Sequence, residues 1–130
     1  MKVRFISLAS GSSGNCYYLG TDTYGILIDA GIGIRTIKKT LKDFNILMES
    51  ICAVFVTHDH ADHIKAVGHL GEKMNIPVYT TARIHEGINR SYCMTEKLST
   101  SVHVRGLMGS RAKSECFTYV KREHISCKMY

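Results

Sequence analysis

The chain has no tryptophan, a single proline (Pro77) and no apolar run long enough to span a membrane in its 130 residues. The lack of proline rules out a proline-rich linker, so the length is that of one domain, long enough for a core but small for a two-sheet enzyme. Cysteine is present but not as a framework. Cys16, Cys52, Cys93, Cys116 and Cys127 are odd in number and include no Cys-x-x-Cys pair, which argues against a secreted disulfide scaffold and for reduced thiols. The apolar start breaks at Ser7 and again at a glycine-serine loop, too early for a secretory signal. A cytoplasmic location, with no membrane partner, is the expectation. Acidic residues are the minority, 11 against 17 Lys and Arg, for a net charge of +6. Residues 101–130 hold six of those cations against two acids. A basic balance suits a polyanion such as nucleic acid, but concentration in the tail gives that signal little weight.

What the chain does have is concentrated in Thr57-His58-Asp59-His60-Ala61-Asp62-His63. Three imidazoles and two carboxylates in seven residues do not belong in a packed core. They follow Ile51-Cys52-Ala53-Val54-Phe55-Val56, which reads as a buried strand, and a helical pattern begins after them. The cluster therefore sits where the chain leaves the end of a central strand, the place at which open α/β sheets bind ligands. Imidazole and carboxylate together suit Zn²⁺, Mn²⁺ or Fe²⁺ better than Ca²⁺ or Mg²⁺. His58 and His60 can converge on one ion, with Asp62 and His63 facing a second; the plain alternative is a solvated histidine-rich loop.

Around this stretch the organisation is α/β. Lys2 to Ala9 reads as a first strand with Val3, Phe5 and Ile6 inward, followed by the turn Ser10–Gly14. That turn is either a tight hairpin or a loop that brings side chains and amides to a ligand. Asn15 to Leu19 and Gly25 to Asp29 form a hairpin about Thr21-Asp22-Thr23. Asp29 ends an apolar strand; it either caps the following turn or accepts the second N–H of a metal-bound histidine. Ile34, Ile37, Leu41 and Phe44 mark an amphipathic helix whose Lys38, Lys39 and Lys42 form a solvated face. Ile64, Val67, Leu70 and Met74 mark a second helical stripe, Pro77–Thr80 a short strand, and Ile84, Ile88 and Tyr92 a third helix with His85 at the surface. Cys52 reads as a small core residue. Beyond Arg105 no period is clear, although Cys116 to Val120 suits a strand. Cys116, His124 and Cys127 match no closed zinc spacing.

His58-x-His60-x-Asp62-His63 after an apolar strand resembles the signature of the metallo-β-lactamase superfamily of metal-dependent hydrolases. Ser10-Gly11-Ser12-Ser13-Gly14-Asn15-Cys16-Tyr17-Tyr18 and Ile26-Leu27-Ile28-Asp29-Ala30-Gly31 agree with it. The opening Ser-Leu-Ala-Ser-Gly-Ser-Ser-Gly-Asn is similar to the WalJ-type branch of bacterial exonucleases. The resemblance runs from the N-terminus to about His103. It implies an αββα sandwich, of which this chain supplies the first sheet with flanking helices. It also implies two divalent ions, Zn or Mn, held by His58, His60, Asp62 and His63. Asp62 would double as the catalytic group that orients the attacking water, with Asp29 supporting a ligand and Ser12 and Asn15 at the rim. Such ions bring the pKa of water from about 15.7 down to about 7. By the same resemblance the substrate is DNA or another nucleic acid; the alternatives are a thioester or lactam hydrolase of the same fold and a non-catalytic remnant.

The departure from that pattern lies in the second half. The family completes its site with a further histidine, a bridging aspartate and a last histidine. Here His103 comes too soon, and His124 is followed by Ile125-Ser126 where the branch places an aspartate. The expected division is therefore residues 1–104 as the N-terminal part of a metallo-β-lactamase-like domain and 105–130 as a divergent, out-of-frame or poorly ordered tail. The chain then holds one ion or none, and one sheet face, left uncovered, offers a route to self-association.

Overall fold

A computed structural model describes residues 2–91 and, as backbone only, 101–104 and 117–120. Short runs rich in β-branched and aromatic residues form the strands β1 (Arg4–Ala9), β2 (Cys16–Gly20), β3 (Gly25–Ile28), β4 (Ile51–Phe55), β5 (Val78–Thr81), β6 (Ser101–Val104) and β7 (Phe117–Val120). They make one mixed sheet in the order β1-β2-β3-β4-β5-β7-β6. β1, β2 and β3 form an antiparallel meander; β3, β4 and β5 are parallel. β7 adds antiparallel to β5, with Thr81 opposite Phe117, and β6 pairs with β7. The strand expected near Cys116 to Val120 is thus at the far side of β5. The remaining tail residues, with Cys93, His124 and Cys127, lie outside the described residues.

This topology decides where function can sit. Two antiparallel steps bring β1 back to the direction of β3, and β4 and β5 run parallel to it. The chain therefore leaves β1, β3, β4 and β5 at one common edge of the sheet. The Ser10–Asn15 loop, Asp29, the histidine cluster and the start of the last helix all emerge there.

Helices α1 (Ile34–Asp43), α2 (Ala61–Ile64) and α3 (Ala82–Arg90) share one face. Ile37 and Leu41 of α1, Ile64 of α2 and Ile88 of α3 join Tyr18, Leu27, Val54 and Val78 of the strands in one buried core. Each fully buried aliphatic side chain of this kind contributes about 1.5–3 kcal/mol. Thr81 caps α3 by accepting the Ile84 amide at 3.3 Å, an interaction of about 1 kcal/mol. Among the described residues, no helix is long and apolar enough to cross a membrane.

Three expectations change in detail. Val3 and Phe5 point outward, Phe5 with 62% exposure; only Ile6 and Leu8 of β1 reach the core. The alternation of a strand lets one set face the helices, and Phe5 belongs to the other set, stacked on Tyr17 at 5.9 Å. Phe44 lies past the end of α1 as its C-terminal cap and is exposed. The stripe Ile64, Val67 and Leu70 is buried as its period implied, but its helix is interrupted. After four residues of α2 the chain widens at His69–Lys73, where the Met74 amide reaches back to the His69 carbonyl at 3.2 Å.

The opposite sheet face carries a smaller cluster of Ala53 and Tyr79 with Ile26, Cys52 and Phe55 packed against it. Phe55 and Tyr79 stack at 5.0 Å. Cys52 belongs here, half-buried, and not to the main core.

Candidate metal centre

Asp29 is the fixed point of the site. It follows β3 with φ 60, in the left-handed region that an aspartate tolerates better than most residues. Its own amide donates to the Phe55 carbonyl at 2.7 Å, locking the turn to the end of β4. The residue is 3% exposed, and both of its carboxylate oxygens accept hydrogen bonds. Oδ1 accepts the Thr57 amide at 2.8 Å, and Oδ2 accepts the Thr57 hydroxyl at 2.6 Å. Oδ2 also meets Nδ1 of His63 at 2.8 Å. Since a carboxylate accepts and does not donate, His63 carries its proton on Nδ1 and leaves the Nε2 lone pair free.

His58 stands beside His63 with ring centroids 4.5 Å apart. Nitrogen atoms of these two rings and an Asp29 oxygen all lie within 4.8 Å of one another. His60 is differently placed: its ring is 6.0 Å from that of His58, and its side chain is 74% exposed. Asp62 reaches to 3.8 Å from His63 Nε2. That is too long for a hydrogen bond but is a gap that two ligands of one ion can span, each about 2.0–2.2 Å from it. The donor set, imidazole nitrogens with a half-exposed carboxylate beside them, fits a borderline divalent cation. Asp29, with its oxygens occupied, fits the supporting role better than that of a ligand.

The rim comes from the glycine-serine loop. Asn15 donates its amide to the Asp62 carbonyl at 2.8 Å, and its Nδ2 lies 3.3 Å from both that carbonyl and Asp62 Oδ2. The same Nδ2 donates to the Gly11 carbonyl at 2.9 Å, so Asn15 ties loop and motif together. Ser12 is exposed on the turn; the serine tied into the loop is Ser10, whose Oγ takes the Tyr17 hydroxyl at 2.9 Å. The Ala30 amide reaches the His63 carbonyl at 2.9 Å, and the Ala66 amide reaches the Ala30 carbonyl at 2.8 Å. Among these residues the sequence reading assigned no role to Thr57; a hydroxyl at the carboxyl end of a buried strand, next to the first histidine, was the signal available.

Cys16 of β2 is fully buried in the core. Burial pushes its thiol from 9.0 up to about 12, with the nearby Asp29 charge adding to the rise. An unfolded thiol gives up its proton near 9.0 and the folded one only near 12. The stabilisation is thus complete below pH 9 and falls as pH rises from there towards 12, by about 1.4 kcal/mol per pH unit. Urea unfolding compared between about pH 8 and about pH 10.5 should show this loss, and Cys16→Ala should reduce it. An equal pH dependence in the variant would remove Cys16 as its source.

Comparison with known proteins bears on the family and the fold. The family model described as "Metallo-beta-lactamase superfamily" matches residues 9–103. The exodeoxyribonuclease YycJ of Bacillus anthracis is 39% identical over 83 residues, covering 64% of this chain and 31% of that protein. The exodeoxyribonuclease WalJ of Streptococcus pneumoniae serotype 2 is 34% identical over 101 residues, 78% of this chain and 38% of that one. The chain thus spans about a third of the length of these curated relatives. Among solved structures, the BLEG-1 B3 metallo-beta-lactamase superposes with a TM-score of 0.56 at 21% identity, over 78% of this chain and 57% of that one. That likeness speaks to the fold.

Proposed function

Since the chain belongs to the metallo-beta-lactamase superfamily, we propose that it is the metal-holding part of a hydrolase acting on nucleic-acid phosphodiester bonds, as an exonuclease does. The superfamily is metal-dependent and its members are generally hydrolases. The observation that carries the reading is the meeting of His58 and His63 above the buried Asp29 carboxylate. The relatives named exodeoxyribonucleases point to the substrate.

In this reading His58, His60, Asp62 and His63 would be this chain's contribution to a family site for two divalent ions, Zn²⁺ or Mn²⁺, of which the chain by itself would hold one or none. When bound, such ions supply a water of lowered pKa and polarise the phosphoryl oxygen. Asp62 would orient the attacking water, with Asn15 Nδ2, 3.3 Å from Asp62 Oδ2, steadying its carboxylate. Asp29 keeps His63 in the tautomer that offers Nε2. Asn15 and the exposed Ser12 line the rim over which a DNA end approaches. In the cytoplasm such a chain would meet nucleic acid directly. Residues 105–130 act in this reading as a tail that adds nothing to the ligand set. The outer sheet face, with Phe5 exposed and Phe55 stacked on Tyr79, is the surface through which copies associate.

The test is release of nucleotides from duplex DNA ends with Mn²⁺ or Zn²⁺, beside hydrolysis of a thioester. Each missing ligand or supporting partner typically costs about 10–100-fold, so the 130-residue chain is expected to turn over slowly. The same chain extended by the second half of a curated relative should recover rate, and Asp62→Ala should abolish it. Mass in solution during the same assay reads the association. Preferential cleavage of the thioester by the extended chain would move the substrate assignment away from nucleic acid.

A further inference from the structure

Thr57 has one hydroxyl proton and two polar neighbours. Its Oγ1 lies 2.6 Å from Asp29 Oδ2 and 2.8 Å from His58 Nδ1. The carboxylate oxygen can only accept, so the hydroxyl proton points to Asp29. The lone pair left on Oγ1 then faces His58 Nδ1. Two lone pairs do not attract, and the short contact requires the proton on Nδ1 of His58. That leaves Nε2 as the basic nitrogen of His58, as Asp29 leaves Nε2 the basic nitrogen of His63.

We propose that Thr57 is a positioning residue that fixes His58 in its Nδ1–H tautomer, so that one buried carboxylate orients both histidines: His63 directly and His58 through the threonine hydroxyl. Thr57 is suited to the task because it is itself held at two points. Its amide donates to Asp29 Oδ1 at 2.8 Å while its hydroxyl donates to Oδ2. Its branched Cβ further restricts the rotamer. His58, unlike His63, is exposed, and an exposed imidazole without such a partner interconverts between tautomers and rotates in solvent. The hydroxyl therefore gives the exposed ring an orientation that burial does not supply. This step from tautomer to ligand atom rests on the metal reading above; the tautomer itself rests on the hydrogen bonds alone.

The test uses the 130-residue chain with Thr57→Val, which keeps the branched shape and removes the hydroxyl, and Thr57→Ser, which keeps the hydroxyl. Long-range ¹H–¹⁵N correlation of the metal-free imidazoles is recorded at about pH 8, above the ordinary histidine range. The native chain and Thr57→Ser should show His58 as the Nδ1–H form, and Thr57→Val a mixture of the two tautomers with His63 unchanged. In a zinc titration Thr57→Val should bind about 10–100-fold more weakly, and Thr57→Ser should stay near the native value. A native His58 in the Nε2–H form overturns the proposal whether or not the valine variant folds. So does an Nδ1–H form that persists in Thr57→Val. If the tautomer shifts as stated but the native chain takes up no zinc, Thr57 keeps its positioning role and the metal reading fails.

Discussion

Gly31→Ala is expected to cost about 3 kcal/mol or more of folding stability and, with it, the geometry of the histidine cluster. A Cβ at Gly31 would collide with the Asp62 carbonyl oxygen and carbon and lie 2.7 Å from the His63 nitrogen. All three are backbone atoms, so no side chain can rotate away to make room. The start of α2 would have to retreat from the loop after β3. The bonds Gly31 N–H to Asn15 O, 2.9 Å, and Ala30 N–H to His63 O, 2.9 Å, would go with it. Urea unfolding reads the stability, and the separation between the His58 and His63 ring signals reads the site. An alanine variant within about 0.5 kcal/mol of the native chain, the range of neutral surface changes, would mean that α2 does not dock on Gly31 so closely.

Asp29→Ala is the second large loss, and it acts on chemistry as much as on packing. The substitution removes the acceptor of the Thr57 amide, the Thr57 hydroxyl and the His63 Nδ1–H at once. A stranded buried donor costs about 1–3 kcal/mol, and since Thr57 is partly open to water the sum should be nearer 3 than 9. Alanine also tolerates φ 60 less well than aspartate. Asp29→Gly separates the two effects, because glycine accepts that backbone without strain. If the carboxylate is the cause, glycine recovers little stability and no zinc affinity, which should stay about 10–100-fold down in both variants. Recovery of zinc binding in Asp29→Gly would assign the effect to the backbone.

Much of this architecture was written in local pattern. The run Ile51–Val56 ending in Thr57-His58 contains both the buried strand and the abrupt change of polarity that ends it, so β4 and its loop could be placed without a structure. Asp29 at the end of Ile26-Leu27-Ile28 was visible for the same reason. The inward side of β1 was not, because both of its faces carry apolar side chains, Phe5 on one and Ile6 and Leu8 on the other, and the position of the helices decides which is buried. The break after Ile64 was hidden because the spacing Ile64, Val67, Leu70 survives a change of helical pitch. Thr57 could be named but not read. Its role depends on Asp29, 28 residues earlier, and no periodicity carries information across that distance. Spacing and resemblance group His58, His60, Asp62 and His63 together, and neither reveals that the His58 and His63 rings lie close, tilted to one another, while His60 stands out in solvent.

The amides of Asn15 and Ala30 end on adjacent carbonyls, those of Asp62 and His63, and so draw two distant loops onto one turn. Asn15 and Asp62 are 47 residues apart. The meander β1–β2–β3 closes through short turns, whereas this docking waits until β4 has returned beside β3 by way of α1. Contacts of such long range cost more chain entropy to close than the short turns of the meander do. Undocked, the turn is a flexible peptide bearing three imidazoles, and such a peptide sorts ions by intrinsic affinity, taking copper ahead of zinc and zinc ahead of manganese. Docked, it presents nitrogens whose direction is already decided by Asp29 and Thr57. The two carbonyl bonds therefore separate a turn whose imidazoles point anywhere from one whose directions are set before any ion arrives.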